Sequence, residues 1–301
     1  MNSIIIPHAS PVRFVKMNSS TEDYKHFDEV LYEDQILDFQ EKIRYYQKWK
    51  NSDTVSFPVI SNFGVPSIKL VDCELKQVVA CSVESVSTDY YQSPDVYYMA
   101  QADLTGVDEG IYWFLIDVSG EKFLSEPQYI AEQHDNTILF NYDNDKNEFG
   151  LVFDGFSYSF RCEAILSEFL PGSKEKVFED EPANIYTLSS NPFRVFKLII
   201  GDAKGVPDWV ADKINRIFAC KKVLLDQKQF GRTDGSKMER NGDPLVPTSG
   251  WTMEIRESKA RDVLVIGNDR LIETDVTMTY VVDTTLFGSG YNANAKITQI
   301  D

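Results

Sequence analysis

The stretch 103-DLTGVDEGIYWFLIDVSGEKFLSEPQYI-130 predicts a strand, a turn, a long strand, a hairpin turn and a final strand. Gly106 and Gly110 flank the first turn, and the pair Ser119 and Gly120 forms the second. In the long run 111–118, alternate residues point to opposite faces, and both faces are largely apolar. We therefore expect this strand to lie in the middle of a β-sandwich or at an interface.

Short alternating runs separated by turn residues continue on both sides. They cover residues 54–60, 67–72, 78–86, 96–104, 138–142, 149–166, 193–202, 223–232, 251–257, 263–267 and 276–287. One segment has helical periodicity: Pro207 suits a first turn, and one face carries Val210, Ile214, Ile217 and Phe218. The predicted fold class is mainly β, with β-sandwich-like domains and one clear α-helix near 207–222.

A composition shift at 131-AEQHDNT-137 predicts a domain boundary. We expect an irregular N-terminal arm over 1–40 and a sandwich of immunoglobulin or fibronectin type over 41–134. A second β-rich domain with the helix is expected over 135–262. The C-terminal strands and tail, 263–301, are a candidate inter-subunit segment.

The chain is strongly acidic, with 30 Lys and Arg against 47 Asp and Glu and a formal net charge of −17. This charge argues against a nucleic-acid reader, which needs a basic face, and against binding to an anionic membrane. It suits the lining of a conduit through which DNA passes without being bound. The densest basic run predicts a solvated helix face or a patch that pairs with acids; it comprises Lys213, Arg216, Lys221, Lys222, Lys228 and Arg232.

The cysteines and the N-terminus predict a chain made in a reducing cytoplasm. Cys73, Cys81, Cys162 and Cys220 are widely spaced, which favours buried thiols over a zinc site. The apolar run at the N-terminus is too short for a signal peptide and is interrupted by prolines.

The Asp/Asn loop 141-NYDNDKNEFGLVFD-154 resembles a calcium loop, with Asp143 in the first position and Asp154 in the twelfth. Its sixth position is Glu148, however, where such loops have Gly, and its flanks alternate as strands do. Asp and Asn are common in turns because they tolerate left-handed backbone. We therefore predict a hairpin between strands 138–142 and 149–153, and no metal site.

The other patterns give no specific indication of a catalytic or ligand-binding site. The glycines of 201-GDAKGVPDWV-210 do not fit a phosphate-binding spacing, and His8, His26 and His134 lie in no recognisable catalytic motif. Paired carboxylates such as those at 179–181 keep a glycoside hydrolase open as a third hypothesis. The aromatic clusters 90-YY-91, 97-YY-98 and 112-YWF-114 suit a core, an interface or sugar stacking. We predict no catalytic, cofactor-binding or metal-binding residues.

Several phrases together resemble a family of structural virion proteins of Bacteroidetes phages and prophages, including crAss-like phages. They are 45-YYQKWKNSDTVSFPVISNFG-64, 109-EGIYWFLI-116, 125-SEPQYIAEQHDNTILFNYDNDKNEFGLVF-153, 160-FRCEA-164 and 193-FRVFKLIIGDAKGVPDWVADKINRIFACKKVLLD-226. The resemblance spans most of residues 40–260. It implies a tail, neck or baseplate component that forms rings around the DNA path, without catalytic residues.

Our leading hypothesis is therefore a non-enzymatic subunit that forms a cyclic homo-oligomer in the virion, assembled in the host bacterial cytoplasm. Its partners would be further copies of itself and neighbouring virion proteins. The arm at 1–40 and the segment 276–301 are candidates for strand addition to a neighbour. The alternative is a carbohydrate-binding or adhesin-type surface module that uses the Tyr/Trp clusters, among them Tyr98 and Trp113.

Overall fold

The computed structural model of the protein describes residues 3–17, 45–91, 93–179, 185–201, 205–242 and 248–258. All of these belong to one compact unit, Met1–Ala260. The described chain is mainly β, with one helix in these ranges, so the predicted fold class is confirmed. The predicted strands 263–267 and 276–287 lie outside the described residues.

The strands before residue 132 form two sheets. One has the order β1-β4-β8-β7, and the other has β2-β10-β9-β11-β3, with β5 paired to β9 and β6 paired to β5. The strands are β1 (Ile4–Ile5), β2 (Phe14–Lys16), β3 (Gln47–Lys50), β4 (Thr54–Ser61), β5 (Ser67–Val71), β6 (Gln77–Ala80), β7 (Ser82–Val86), β8 (Val96–Asp103), β9 (Gly110–Val118), β10 (Glu121–Ser125) and β11 (Gln128–Ala131).

Strand β9 occupies the central position that its sequence predicts. It pairs with β5 on one edge and with β10 and β11 on the other. Its side chains Phe114, Ile116 and Val118 are fully buried in the core between the two sheets. On its opposite face Leu115 is buried, whereas Ile111 is 41% exposed. The two sheets and the shared core make this part a β-sandwich.

The strands after residue 136 form a closed sheet. The closed order is β12-β13-β14-β19-β17-β16, with β16 paired back to β12, and β15 and β18 also pair with β19. The elements are β12 (Thr137–Asp143), β13 (Tyr158–Glu179), β14 (Ile185–Ile200), β15 (Val206–Pro207), α1 (Asp208–Ile217), β16 (Lys222–Leu225), β17 (Lys228–Arg232), β18 (Glu239–Asn241) and β19 (Thr248–Glu257). Closure leaves these six strands with no unpaired edge where they meet.

Helix α1 covers this sheet with the face that the sequence predicts. Val210, Ile214 and Ile217 are buried, and Phe218 packs with them in the same core. The helix is shorter than predicted, because Ala219 and Cys220 bond to carbonyls three residues back and the chain then enters β16. The basic residue Lys213 also lies on the buried face.

The Asp/Asn loop differs from the predicted hairpin in where its second strand begins. Strand β13 begins at Tyr158, and residues 144–157 form the connection. Phe149 and Gly150 have positive φ values of 56° and 79°, so the chain turns where the alternation predicts a strand. Leu151 and Phe153 are nevertheless buried, as loop residues packed into the core.

The predicted boundary near 131–137 falls between the sandwich and the closed sheet, but both lie in the same compact unit. Whether 41–134 and 135–262 fold as separate domains stays a prediction. The predicted irregular arm is in part regular: residues 3–17 contribute β1 and β2 to the sandwich.

Candidate functional site

A two-stranded arm extends from the closed sheet. Strand β12 pairs with β13 only over residues 158–163, and β19 pairs with β14 only over 195–200. Beyond these limits β13 and β14 continue to pair with each other as far as Glu179 and Ile185. The ten residues of β13 from 170 onward span roughly 30 Å. Among the described residues no third strand covers either edge of this arm.

The outer face at the base of the arm carries apolar side chains on both sides of the exposed Lys197. Leu198 and Ile200 point into the core of the closed sheet, so Val195 and Ile199 face outward. Their cross-strand partners share this face, and both partners are exposed: Leu170 by 53% and Ile165 by 41%. Near the end of β13, Phe178 is 54% exposed. An open-edged ribbon with exposed apolar side chains is a surface suited to a partner.

An N-terminal strap, defined here as residues 3–17, joins both parts of the fold. Strand β1 pairs with β4 in one sheet, and β2 pairs with β10 in the other. Between them, Ala9 accepts a hydrogen bond from the Tyr142 hydroxyl at 3.3 Å, and Pro11 accepts one from Lys213 Nζ at 3.0 Å. Val12 is fully buried. The strap is therefore a structural part of both cores.

A buried polar cluster lies beneath the strap. The backbone N–H of Arg13 donates to Glu126 Oε1 at 3.3 Å, and the guanidinium of Arg13 lies 4.6 Å from the Trp209 ring centroid. Lys213 Nζ lies 4.8 Å from the same centroid. Glu126 and Lys213 are each 1% exposed, and atoms of Ser10, Arg13, Glu126 and Trp209 have no hydrogen-bond partner within the described ranges. Buried polar atoms of this kind are ordinarily satisfied by ordered water.

Burial dominates the electrostatics of this cluster. It lowers the pKa of Lys213 to about 7, against the attraction of Glu126 that raises it. It also raises the pKa of Glu126, although Lys213 and Arg13 act in the opposite direction. Two basic side chains and one carboxyl group thus share a buried site, and the cost of charge there makes the cluster sensitive to pH.

A second polar group links the sandwich to the closed sheet. Arg161 donates to both carboxylate oxygens of Asp53, at 2.7 and 2.9 Å, and both side chains are almost fully buried. Beside it, Lys48 Nζ lies 2.7 Å from Glu163 Oε1, and Gln47 donates to the Arg161 carbonyl. Each of these contacts joins a residue before 54 to one after 160, so the two parts are connected by two ion pairs and one neutral hydrogen bond.

The Asp/Asn loop is held against tyrosines of the sandwich. The hydroxyls of Tyr97 and Tyr158 lie 2.7 Å apart, and the backbone of Val152 bonds to both. Tyr91 donates to the Gly150 carbonyl at 3.1 Å. Burial raises the pKa of Tyr97 to about 12, so its hydroxyl keeps its proton at physiological pH. The loop therefore has a packing role between the two parts of the fold.

The acids of this loop bond within it or, for Asp145, to Lys221 just before β16. Asn147 bonds to Asp154 and to the backbone of Phe153, Asp143 accepts from the N–H of Asn144, and Asp145 pairs with Lys221. Within the described ranges no group of three or more His, Cys, Asp or Glu side chains is placed to hold a metal ion. No helix in these ranges has both the length and the apolar character of a membrane span.

Replacing Gly150 by Ala tests the packing of this loop. The positive φ disfavours any side chain, and a Cβ would lie 2.9 Å from Pro7 Cβ and 3.2 Å from the Tyr91 hydroxyl oxygen. We expect the free energy of unfolding in urea to fall by about 1–3 kcal/mol. Gly155→Ala is the matched control, because Gly155 has a similar φ but nothing within 4 Å. Equal losses in the two variants would contradict the contact of Gly150 with Pro7 and Tyr91.

The structure places the residues of the basic run, the aromatic clusters and the histidines in different environments. In the basic run Lys213 is buried, Arg216 pairs with Asp212, and Lys222 and Lys228 are exposed. The interpretation of a solvated face is therefore wrong for Lys213. Of the aromatic clusters, Tyr97, Tyr98 and Tyr112 are buried, while Tyr90 is 44% exposed. His8 and His134 lie apart, and His26 is outside the described residues.

Sequence reasoning missed Glu126 and Arg161. Arg161 lies in β13 and Glu126 lies between β10 and β11, and neither has a local feature that indicates burial. Comparisons with protein-family models, with curated proteins and with solved structures found no significant match.

Proposed function

We propose that the protein is a non-enzymatic structural subunit of a bacteriophage tail, neck or baseplate. It assembles as a ring of identical copies around the DNA path and contacts neighbouring virion proteins. The observation that carries this proposal is the two-stranded arm of β13 and β14, whose outer edges over 165–179 and 185–194 pair with no other strand among the described residues. The place in a phage particle rests on the family resemblance of residues 40–260.

The arm suits assembly for a physical reason. A two-stranded ribbon is marginally stable in water by itself, and its unpaired N–H and C=O groups can pair with another chain. Exposed Leu170 and Phe178 add apolar area on the same element. Soluble monomeric proteins ordinarily cover or shorten such strand edges. An arm of this length is consistent with a function that requires a partner.

The net charge of −17 supports the proposed position of the ring around the DNA path. A wall with this charge repels the phosphate backbone, so DNA passes without being held. The carbohydrate-binding alternative has less support, because four of the seven rings in the candidate clusters are buried, namely Tyr97, Tyr98, Tyr112 and Phe114. Saturable binding in a glycan screen that depends on the exposed Tyr90 would favour that alternative instead.

The proposal is tested by measuring the molar mass of the protein in solution and by imaging the purified protein. We expect light scattering after size exclusion, and negative-stain electron microscopy, to show a ring-shaped oligomer. Leu170→Asp should shift the population to monomer, because it places a charge on the outer face of the arm. Val65→Asp is the control, since Val65 is 70% exposed and lies on the sandwich. A wild-type protein that is monomeric at all concentrations, alone and with co-expressed virion proteins, would refute the proposal.

A further inference from the structure

The N-terminal strap occupies a docking site, here called the seat, which is formed by β4, β10 and Lys213 of α1. Register pairs Ile4 with Ser61 and Phe14 with Ser125, so the strap completes one edge of each sandwich sheet. Between the two strands, Ala9, Ser10 and Val12 are buried. Without the strap, two strand edges and an apolar surface would be open. The seat therefore has to be filled.

The seat recognises the strap through specific polar contacts as well as through burial. Lys213 Nζ donates to the Pro11 carbonyl, and the backbone N–H of Glu126 donates to the Arg13 carbonyl at 3.1 Å. The Ser3 N–H donates to Asn62 at 2.9 Å, and Lys16 lies 2.9 Å from Glu121. These contacts fix the register over the full length of the strap. Another peptide would have to reproduce them to fill the seat.

The chain between the strap and the body is long. Residues 18–44 separate Met17 from Tyr45, and 27 residues can extend to about 90 Å. This exceeds the diameter of a domain of this size. Chain length alone therefore does not decide whether a strap fills the seat on its own copy or on a neighbour.

We propose that in the assembled state the strap of each copy occupies the seat on the next copy. The partner is thus a second copy of this chain, and this inference rests on the proposed function because it names how the copies are joined. The contacts of strap and seat are the same in either arrangement, so exchange loses none of them. In a free monomer only the copy's own seat is within reach of this tether, whereas in a ring a neighbouring seat also comes within its reach.

Head-to-tail exchange also fits the symmetry of a ring. Each copy donates one strap and accepts one, and the donating and accepting surfaces are different parts of the molecule. Such a heterologous contact closes into a ring when the rotation between copies divides a full turn. Every seat is then filled and every strap is used.

Two single-cysteine variants distinguish the two arrangements. Lys16 and Phe123 are direct cross-strand partners between β2 and β10, at a spacing that a disulfide can bridge. We would co-express Lys16→Cys with Phe123→Cys, both in a Cys73→Ser background that removes the exposed native thiol. Exchange predicts a covalent heterodimer after mild oxidation. Lys16→Cys with Lys228→Cys is the matched control and should give none.

The double variant Lys16→Cys/Phe123→Cys in one chain verifies that the pair can form a disulfide at all. If it gives covalent multimers in the assembled state, the exchange is supported. If it gives only an intrachain disulfide in a protein that is oligomeric by light scattering, the exchange is overturned and the proposed ring remains. If the wild-type protein is monomeric, the proposed ring itself fails, and the exchange fails with it.

Discussion

Replacing Arg161 by Met should lower the free energy of unfolding by about 3–5 kcal/mol, the largest loss that we expect from a single substitution outside the apolar core. Asp53 is 6% exposed and accepts two hydrogen bonds from the guanidinium. Met leaves this carboxylate buried without its counter-charge. Water or a protonation has to compensate, and either one costs free energy. Urea unfolding followed by fluorescence measures the loss.

Arg216→Met is the matched control. Arg216 also has a carboxylate partner at 2.9 Å, but that pair is a half-exposed i,i+4 pair on α1, for which about 0.5 kcal/mol is expected. The double variant Asp53→Leu/Arg161→Met should recover much of the loss, because no unpaired charge remains. A loss in Arg161→Met as small as that in Arg216→Met would contradict the role of this pair in joining the sandwich to the closed sheet.

The second large effect is a pH dependence of the free energy of unfolding that arises from Lys213. Its pKa falls from 10.5 in the unfolded chain to about 7 in the folded protein because the ammonium is buried. Between these two values the unfolded state binds more protons than the folded state, so stability rises with pH. The rise amounts to roughly 1 kcal/mol per pH unit. It begins near pH 7, and below that pH the full cost of charging the buried amine is present.

Lys213→Met should remove this rise. We expect the difference in free energy of unfolding, wild type minus variant, to increase by roughly 2–3 kcal/mol from pH 7.5 to 9.5. The titratable groups that act on Lys213 are Glu126, Arg13 and Cys162, so Lys213→Met/Glu126→Gln serves as a variant without the central pair. Relative to Lys213→Met, its free energy of unfolding should change little over the same range. Parallel curves for wild type and Lys213→Met would show that Lys213 does not titrate there.

Local pattern was sufficient to predict most of the strands. The run around Phe114 alternates because one face packs on the opposite sheet, and its turn residues are local as well. The Asp/Asn loop misled the same reasoning. Phe149, Leu151 and Phe153 alternate as a strand does, but the turn at Gly150 directs two of them into a core built from distant tyrosines.

The polar clusters could not be predicted because their partners are remote in sequence. Lys213 bonds to Pro11, 202 positions away, and Arg161 bonds to Asp53 at a separation of 108. In the sequence, Lys213 lies between Asp212 and Arg216 and has the appearance of a solvated helix position. Whether such a residue is covered depends on where the strap lies, and no periodicity within the helix contains that information.

The closed sheet gives the arm a mechanical property. At the base of the arm β14 is bonded on one side to β13 and on the other to β19, in two antiparallel ladders. Hydrogen bonds in these ladders lie perpendicular to the strands, so a force pulling along the arm shears whole rows of bonds together. They would have to break simultaneously, unlike the bonds of a hairpin peeled open one at a time. The arm is thus anchored as a tension-bearing element.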